Sequence, residues 1–201
     1  QASITTMIES GDDNFLLSAE ISPLIVSGAV SNIQVGQTVT VILSNLLGDI
    51  DIITTEVEDD LSWSISHNIS TYQEGEITAV ASVSDLAGNL ATSLDEAIID
   101  TQVNIDIDTG LNGLSVVDLR GNNINHFEGS TTAEIGQTVT VIINDNTISK
   151  KFIGEVDSAN HWVVSGIDIS DLSSSDSWQI TATVSDLAGN ITIDDMPLID
   201  V

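Results

Sequence analysis

Apolar and polar residues alternate along most of this chain. Between positions 38 and 43, Val39, Val41 and Leu43 fall on one side, and Thr38 and Thr40 on the other. A period of two marks a strand with one buried face. Further on, Ile77, Ala79, Ala81 and Val83 alternate with Thr78, Val80 and Ser82, which predicts another long strand. Shorter strands are expected over 2–8, 24–30, 52–57, 61–65 and 90–99. Turns at 11–14, 36, 45–49 and 58–60, and a polar loop over 66–75, separate them. No long segment shows helical periodicity.

The same pattern returns roughly a hundred residues later. Val83-Ser84-Asp85-Leu86-Ala87-Gly88-Asn89 recurs letter for letter as Val184-Ser185-Asp186-Leu187-Ala188-Gly189-Asn190. Val35-Gly36-Gln37-Thr38-Val39-Thr40-Val41 recurs as Ile135-Gly136-Gln137-Thr138-Val139-Thr140-Val141. Trp63 recurs as Trp162, and Ile98-Ile99-Asp100 as Leu198-Ile199-Asp200. In the second copy, strands are expected over 103–107, 114–117, 124–127 and 150–156. Others carry Val139, Val141 and Ile143, then Trp162, then Trp178, Ile180, Ala182 and Val184. The chain is therefore expected to hold two tandem domains, 1–100 and 101–201, each large enough to bury its own core. About seven short strands per domain point to all-β, immunoglobulin-like antiparallel sandwiches. Pro23 and Pro197 fall near strand ends, where proline is tolerated. The link Asp100-Thr101-Gln102 is short and holds no Gly, Ser or Pro spacer.

Charge narrows the partners. The chain carries 31 acids, three Lys or Arg, and a formal net charge of −28. All three bases, Arg120, Lys150 and Lys151, lie in the second half. A nucleic-acid partner is excluded, because phosphate binding needs a basic footprint. An anionic membrane surface would repel the chain, and no apolar run is long enough for a membrane helix. Such self-repulsion favours a soluble monomer and opposes compaction, and divalent cations would relieve it. There is no cysteine, so disulfides are excluded while the compartment stays open. No signal peptide is visible at Gln1, and the sequence is expected to be a piece of a longer array.

The G-Q-T-V-T-V strand, the tryptophan after an acidic turn, V-S-D-L-A-G-N before the last strand, and the strand-ending aspartate followed by threonine together resemble a known family. It is the bacterial Ig-like (BIg) repeats of giant, type I-secreted, calcium-dependent adhesins of the RTX class. The resemblance covers both units. It implies an extender arm at the bacterial surface, stiffened by Ca2+ at the junctions between neighbouring repeats. Such an arm would project a distal binding domain for adhesion or biofilm formation. The sequence departs from the pattern at Asp200-Val201, which replaces Asp-Thr, and at Ile4-Thr5-Thr6-Met7, which lacks an aspartate pair. The glycine-rich nonapeptide calcium repeat of the RTX class is absent.

Calcium takes six to eight oxygens. Asp106 and Asp108, two apart on an expected strand, point to one face and would repel without a cation. Asp100 ends the preceding strand. In this topology Asp186 and Asn190 are expected near the linker, with Asp157 at the same end, and Asp85 and Asn89 in the matching place on the first unit. Against this, an aspartate in Asp-x-Ala-Gly-Asn can simply cap its own turn. The run 106–110 is not an EF-hand loop. Asp12, Asp13, Asp59, Asp60, Asp194 and Asp195 read as solvated turn charges. No enzyme is expected: His67, His126 and His161 have no equivalents in the other unit, and no nucleophile elbow occurs. Trp63 and Trp162 are expected in the core. The alternative is a carbohydrate- or protein-binding Ig-like module, or an accessory domain of a secreted hydrolase. Trp178, which has no aromatic counterpart, is the best clue for it.

Overall fold

The computed structural model describes residues 1–11, 13–108, 126–172 and 177–199. The expected strand at 114–117, the start of that at 124–127, and Asp12, Gly110, Arg120, Asp200 and Val201 lie outside the described residues. The chain divides into two compact units, Gln1–Thr101 and Gln102–Val201. Each has a hydrophobic core of its own. All regular structure among the described residues is strand.

In the first unit, one sheet is built on β4 (Leu24–Ser31), flanked by β7 (Ser62–His67) on one side. On the other side lie two short strands, β1 (Ser3–Ile4) and β2 (Met7–Ile8). The single strand expected over 2–8 is thus broken at Thr5 and Thr6. The second sheet runs β3-β9-β8-β5-β6. Its members are β3 (Phe15–Leu16), β5 (Thr38–Asn45), β6 (Ile50–Glu56), β8 (Gly75–Ser84) and β9 (Leu90–Ile99). β3 was not expected, since two residues are too few to show alternation. It pairs in parallel with β9 through Phe15–Ile98 and Leu16–Ile99, so the sandwich is not wholly antiparallel. The alternating residues face inward as expected: Val39, Val41, Leu43, Ile77, Ala79 and Ala81 are all fully buried.

The second unit forms one continuous sheet, β10-β11-β14-β13-β12-β15-β16. These are β10 (Ile105–Ile107), β11 (His126–Thr131), β12 (Thr138–Asn144), β13 (Ser149–Val156), β14 (His161–Ser165), β15 (Ser177–Ser185) and β16 (Ile191–Ile199). Its halves join at a corner where β13 pairs with β14 through Glu155–Val163 and Val156–Trp162. No equivalent pairing links β6 to β7. One position beside the corner differs between the units. A Cβ at Gly154 would lie 2.4 Å from the Val163 carbonyl oxygen. Thr55 holds the matching register place, opposite Val39 as Gly154 is opposite Val139, and its Cβ forbids that approach.

Both units share another device. Trp63 lies opposite Gly28, and Trp162 opposite Gly129, on neighbouring strands. A Cβ at Gly28 would sit 1.9 Å from the Thr5 carbonyl oxygen, and one at Gly129 would sit 1.9 Å from that of Asp106. The bare glycine lets the first strand and the indole close over the same spot. Both indoles are buried, as expected for core tryptophans.

Candidate functional site

The acidic turns are built from their own backbone. Asp85 Oδ1 accepts the amide protons of Ala87 (2.9 Å) and Asn89 (2.8 Å), and Oδ2 accepts Asn89 Nδ2 (2.8 Å). Gly88 closes the turn at φ 86°, a conformation suited to glycine. These donors, the Asn89 side chain first, hold the Asp85 carboxyl below its ordinary value. The second unit repeats the turn: Asp186 Oδ1 accepts Asn190 N at 2.7 Å and Oδ2 accepts Asn190 Nδ2 at 2.9 Å. Asp186 is buried. In both units the aspartate of this repeat thus binds the asparagine four residues on, Asp85 with Asn89 and Asp186 with Asn190.

Asp157 caps as well. Its Oδ1 accepts Ala159 N (2.8 Å) and His161 N (3.1 Å), and these backbone donors, Ala159 first, lower its carboxyl. Asp100 donates its amide to the Leu16 carbonyl at 3.1 Å. Thr101, beside it, gives its amide (3.0 Å) and its hydroxyl to Glu74. Asp106 lies in β10 and Asp108 just beyond it. Both are exposed, on either side of buried Ile107. They thus share one face of the strand, as their spacing implies. The Asp108 amide bonds the Glu128 carbonyl at 2.9 Å.

Among the described residues, no group of three or more His, Cys, Asp or Glu side chains stands close enough to hold a metal ion. Within either unit taken alone, the donors fit calcium only in part. Asp106 and Asp108 supply two carboxylates where six to eight oxygens are needed.

Other acids have duties that sequence reasoning missed. Asp194 and Asp195 are not turn charges; they lie in β16. Asp194 Oδ2 accepts the Ile107 amide at 2.9 Å, and Asp95 Oδ2 of β9 accepts the Ile8 amide at 2.7 Å. In each unit an aspartate of the last strand thus holds the opening strand. The recurrence of an acid pair, Asp95-Glu96 and Asp194-Asp195, was the available signal. Asp195 accepts the Thr181 hydroxyl at 2.8 Å, and Asp60 accepts the Ser62 amide and hydroxyl at 3.0 and 2.6 Å.

The histidines differ between units. His67 Nε2 lies 2.9 Å from Asp51 Oδ2, and the Tyr72 hydroxyl donates to the same oxygen at 3.0 Å. The bond from His67, then that from Tyr72, lowers the Asp51 carboxyl. Burial, then the bond to Asp51, pushes the Tyr72 hydroxyl upward. In the second unit Lys150 stands at the register place of Asp51. Its ammonium donates to the Asp168 carbonyl (2.8 Å) and to Asp171 Oδ2 (3.0 Å). Both arrangements fasten this strand to the loop that follows the next strand, with the charge reversed. His126 and His161 approach Glu128 Oε2 at 4.0 and 3.7 Å.

Trp63, Trp162, Trp178 and Phe127 are buried, and Phe15, Tyr72 and Phe152 are half-buried. Trp178, the clue for a binding module, packs in the core of the second unit.

The fold is similar to tandem Ig-like repeats of large bacterial adhesins. A tetra-tandem repeat from the extending region of a large adhesion protein matches at 18% identity and TM-score 0.44, over 100% of this chain and 50% of that one. A Ca2+-stabilized adhesin with which an Antarctic bacterium binds ice matches at 22% identity and TM-score 0.47, over 98% of this chain and 48% of that one. A single bacterial immunoglobulin-like domain from the M. primoryensis ice-binding adhesin covers 49% of this chain and 96% of its own, at 23% identity and TM-score 0.35. The chain thus spans about half the length of the first two. No protein-family model and no curated protein matches the sequence.

Proposed function

We propose that this chain is an extender segment of a bacterial cell-surface adhesin, one stretch of an arm that carries a distal binding domain toward its target. Its task is mechanical rather than catalytic. The observation that carries the reading is the repetition of the scaffold with all three tryptophans buried in its cores. Both units use the same turn box and the same tryptophan over glycine, and each has an aspartate tie from its last strand, two register places apart. A module built to bind a glycan or a protein would set an exposed ring where its neighbour has none.

Calcium belongs to this reading. The acids around the linker, Asp100, Asp106 and Asp108, would hold it, with Asp186, Asn190 and Asp157 as further oxygen sources; Asp85 is the counterpart of Asp186 in the first unit. When bound, the ion supplies positive charge to a chain of net charge −28 and stiffens the arm. Small-angle scattering of the metal-free chain, with and without added calcium, tests this. The expected result is a longer maximum dimension in calcium, lost in the variant carrying Asp106→Ala and Asp108→Ala, with its β circular dichroism intact. A chain whose dimensions ignore calcium overturns the role of the metal.

A further inference from the structure

We infer that the open edge of β6 is a strand-addition site for β13 of a second copy of this chain. β6 ends its sheet, so among the described residues it has a strand neighbour on one side only. Two of its four outward residues are apolar, Ile50 at 65% exposure and Ile52 at 68%; the others are Thr54 and Glu56. Edge strands are ordinarily blunted by lysine, proline, a bulge or an inward charge; β6, Ile-Asp-Ile-Ile-Thr-Thr-Glu, has no lysine or proline, and its inward charge, Asp51, is taken up by His67 and Tyr72. Charge keeps copies of a −28 chain apart, so a partner strand must bring positive charge. The chain's only two lysines, Lys150 and Lys151, both lie in β13.

β13 has an open edge too. It pairs with β14 only through Glu155 and Val156, and the Val163 carbonyl packs against Gly154, leaving 149–153 without a strand on that side among the described residues. Lys150 is engaged with Asp171, but Lys151 is exposed, and Ile153 is 61% exposed. An antiparallel register that sets Ile52 opposite Ile153 also sets Ile53 opposite Phe152 and leaves Glu56 diagonal to Lys151. Ile53 and Phe152 each flank the core of their own unit, so the pairing would run one core edge into the other. The contact joins two different strands, so each copy offers one edge of each kind and copies add in series or into a closed ring. This departs from the monomer that charge alone favours. Added salt, by screening the like charges, is expected to strengthen the association.

Sedimentation velocity of the full chain, over a wide concentration range and at low and physiological salt, tests the inference. Wild type is expected to form concentration-dependent multimers that grow as salt is added. Ile52→Lys and Lys151→Glu, both exposed substitutions, are each expected to be monomeric with unchanged circular dichroism. Their equimolar mixture is expected to form a dimer and nothing larger, because each retains the edge the other has lost. A wild type that stays monomeric under all conditions overturns the inference. So does an Ile52→Lys chain that associates like wild type, or a Lys151→Glu chain that does so, the latter pointing instead to β6 paired with β6.

Discussion

Trp63 and Trp162 occupy the same place, but their indole protons do not fare alike. Trp162 Nε1 donates to the Ser130 carbonyl at 3.3 Å, whereas buried Trp63 Nε1 has no acceptor among the described residues. Either residue changed to Ala is expected to cost about 3–5 kcal/mol. Changed to Phe, Trp162 should cost the more, because the Ser130 carbonyl loses a donor while Trp63 gives up only an unpaired group. Urea denaturation of the two Phe variants checks this; equal losses would refute it. Asp51 supplies a pH effect. Its carboxyl is lowered in the folded state, by His67 first and Tyr72 second. That contribution to stability is complete above the ordinary aspartate value, near pH 4, and is lost as pH falls through the lowered one. The first unit of His67→Ala is therefore expected to lose less stability than wild type between about pH 5 and pH 3, read from urea midpoints across that range.

Among the elements, the opening strand of each unit is the weakest. β2 has two residues and β10 three. Each gives one amide proton to the last strand of its unit, Ile8 to Asp95 and Ile107 to Asp194. A hydrogen bond to a charged acceptor is worth about 1.5–3 kcal/mol, and half-exposure places these toward the low end. Asp95→Ala and Asp194→Ala are expected to speed amide exchange selectively at Ile8 and Ile107. Exchange that rises evenly through the unit would instead mean a general loss of stability. At the β13–β14 corner, Gly154 leaves room for the Val163 carbonyl, and Thr55 at the matching place brings a Cβ to a unit whose sheets stay separate.

At the scale of the whole molecule, two cores and a strong negative charge govern behaviour. Because each unit buries its own core, residues 1–101 and 102–201 are each expected to fold when expressed alone, with a cooperative melt followed by tryptophan fluorescence. A fragment that melts without cooperativity would show that it depends on its neighbour. In the full chain, calcium is expected to raise the melting temperature. Binding to the native state alone adds about 2.7 kcal/mol at a hundredfold excess over the dissociation constant. Magnesium should substitute poorly, since it demands tighter octahedral geometry. Superimposable melts in calcium and in chelator would rule the effect out.

The sequence by itself determined the class of fold, because alternation with a period of two specifies which side of each strand is buried. Val39, Val41 and Leu43, or Ile77, Ala79 and Ala81, needed no more than their spacing. The repeat also placed the shared turn, since Asp-Leu-Ala-Gly-Asn carries both the capping acid and the residues that close on it. Only the tertiary structure decided what joins residues far apart in the chain. Phe15 and Leu16 became a strand because β9 offered them a parallel edge. Asp95 and Asp194 reach an opening strand nearly a full unit away in sequence. Asp51 meets His67 and Tyr72 only where β6 passes beneath their loop. Local periodicity reports burial, but a hydrogen bond between distant segments depends on distances that only the packed sheets set.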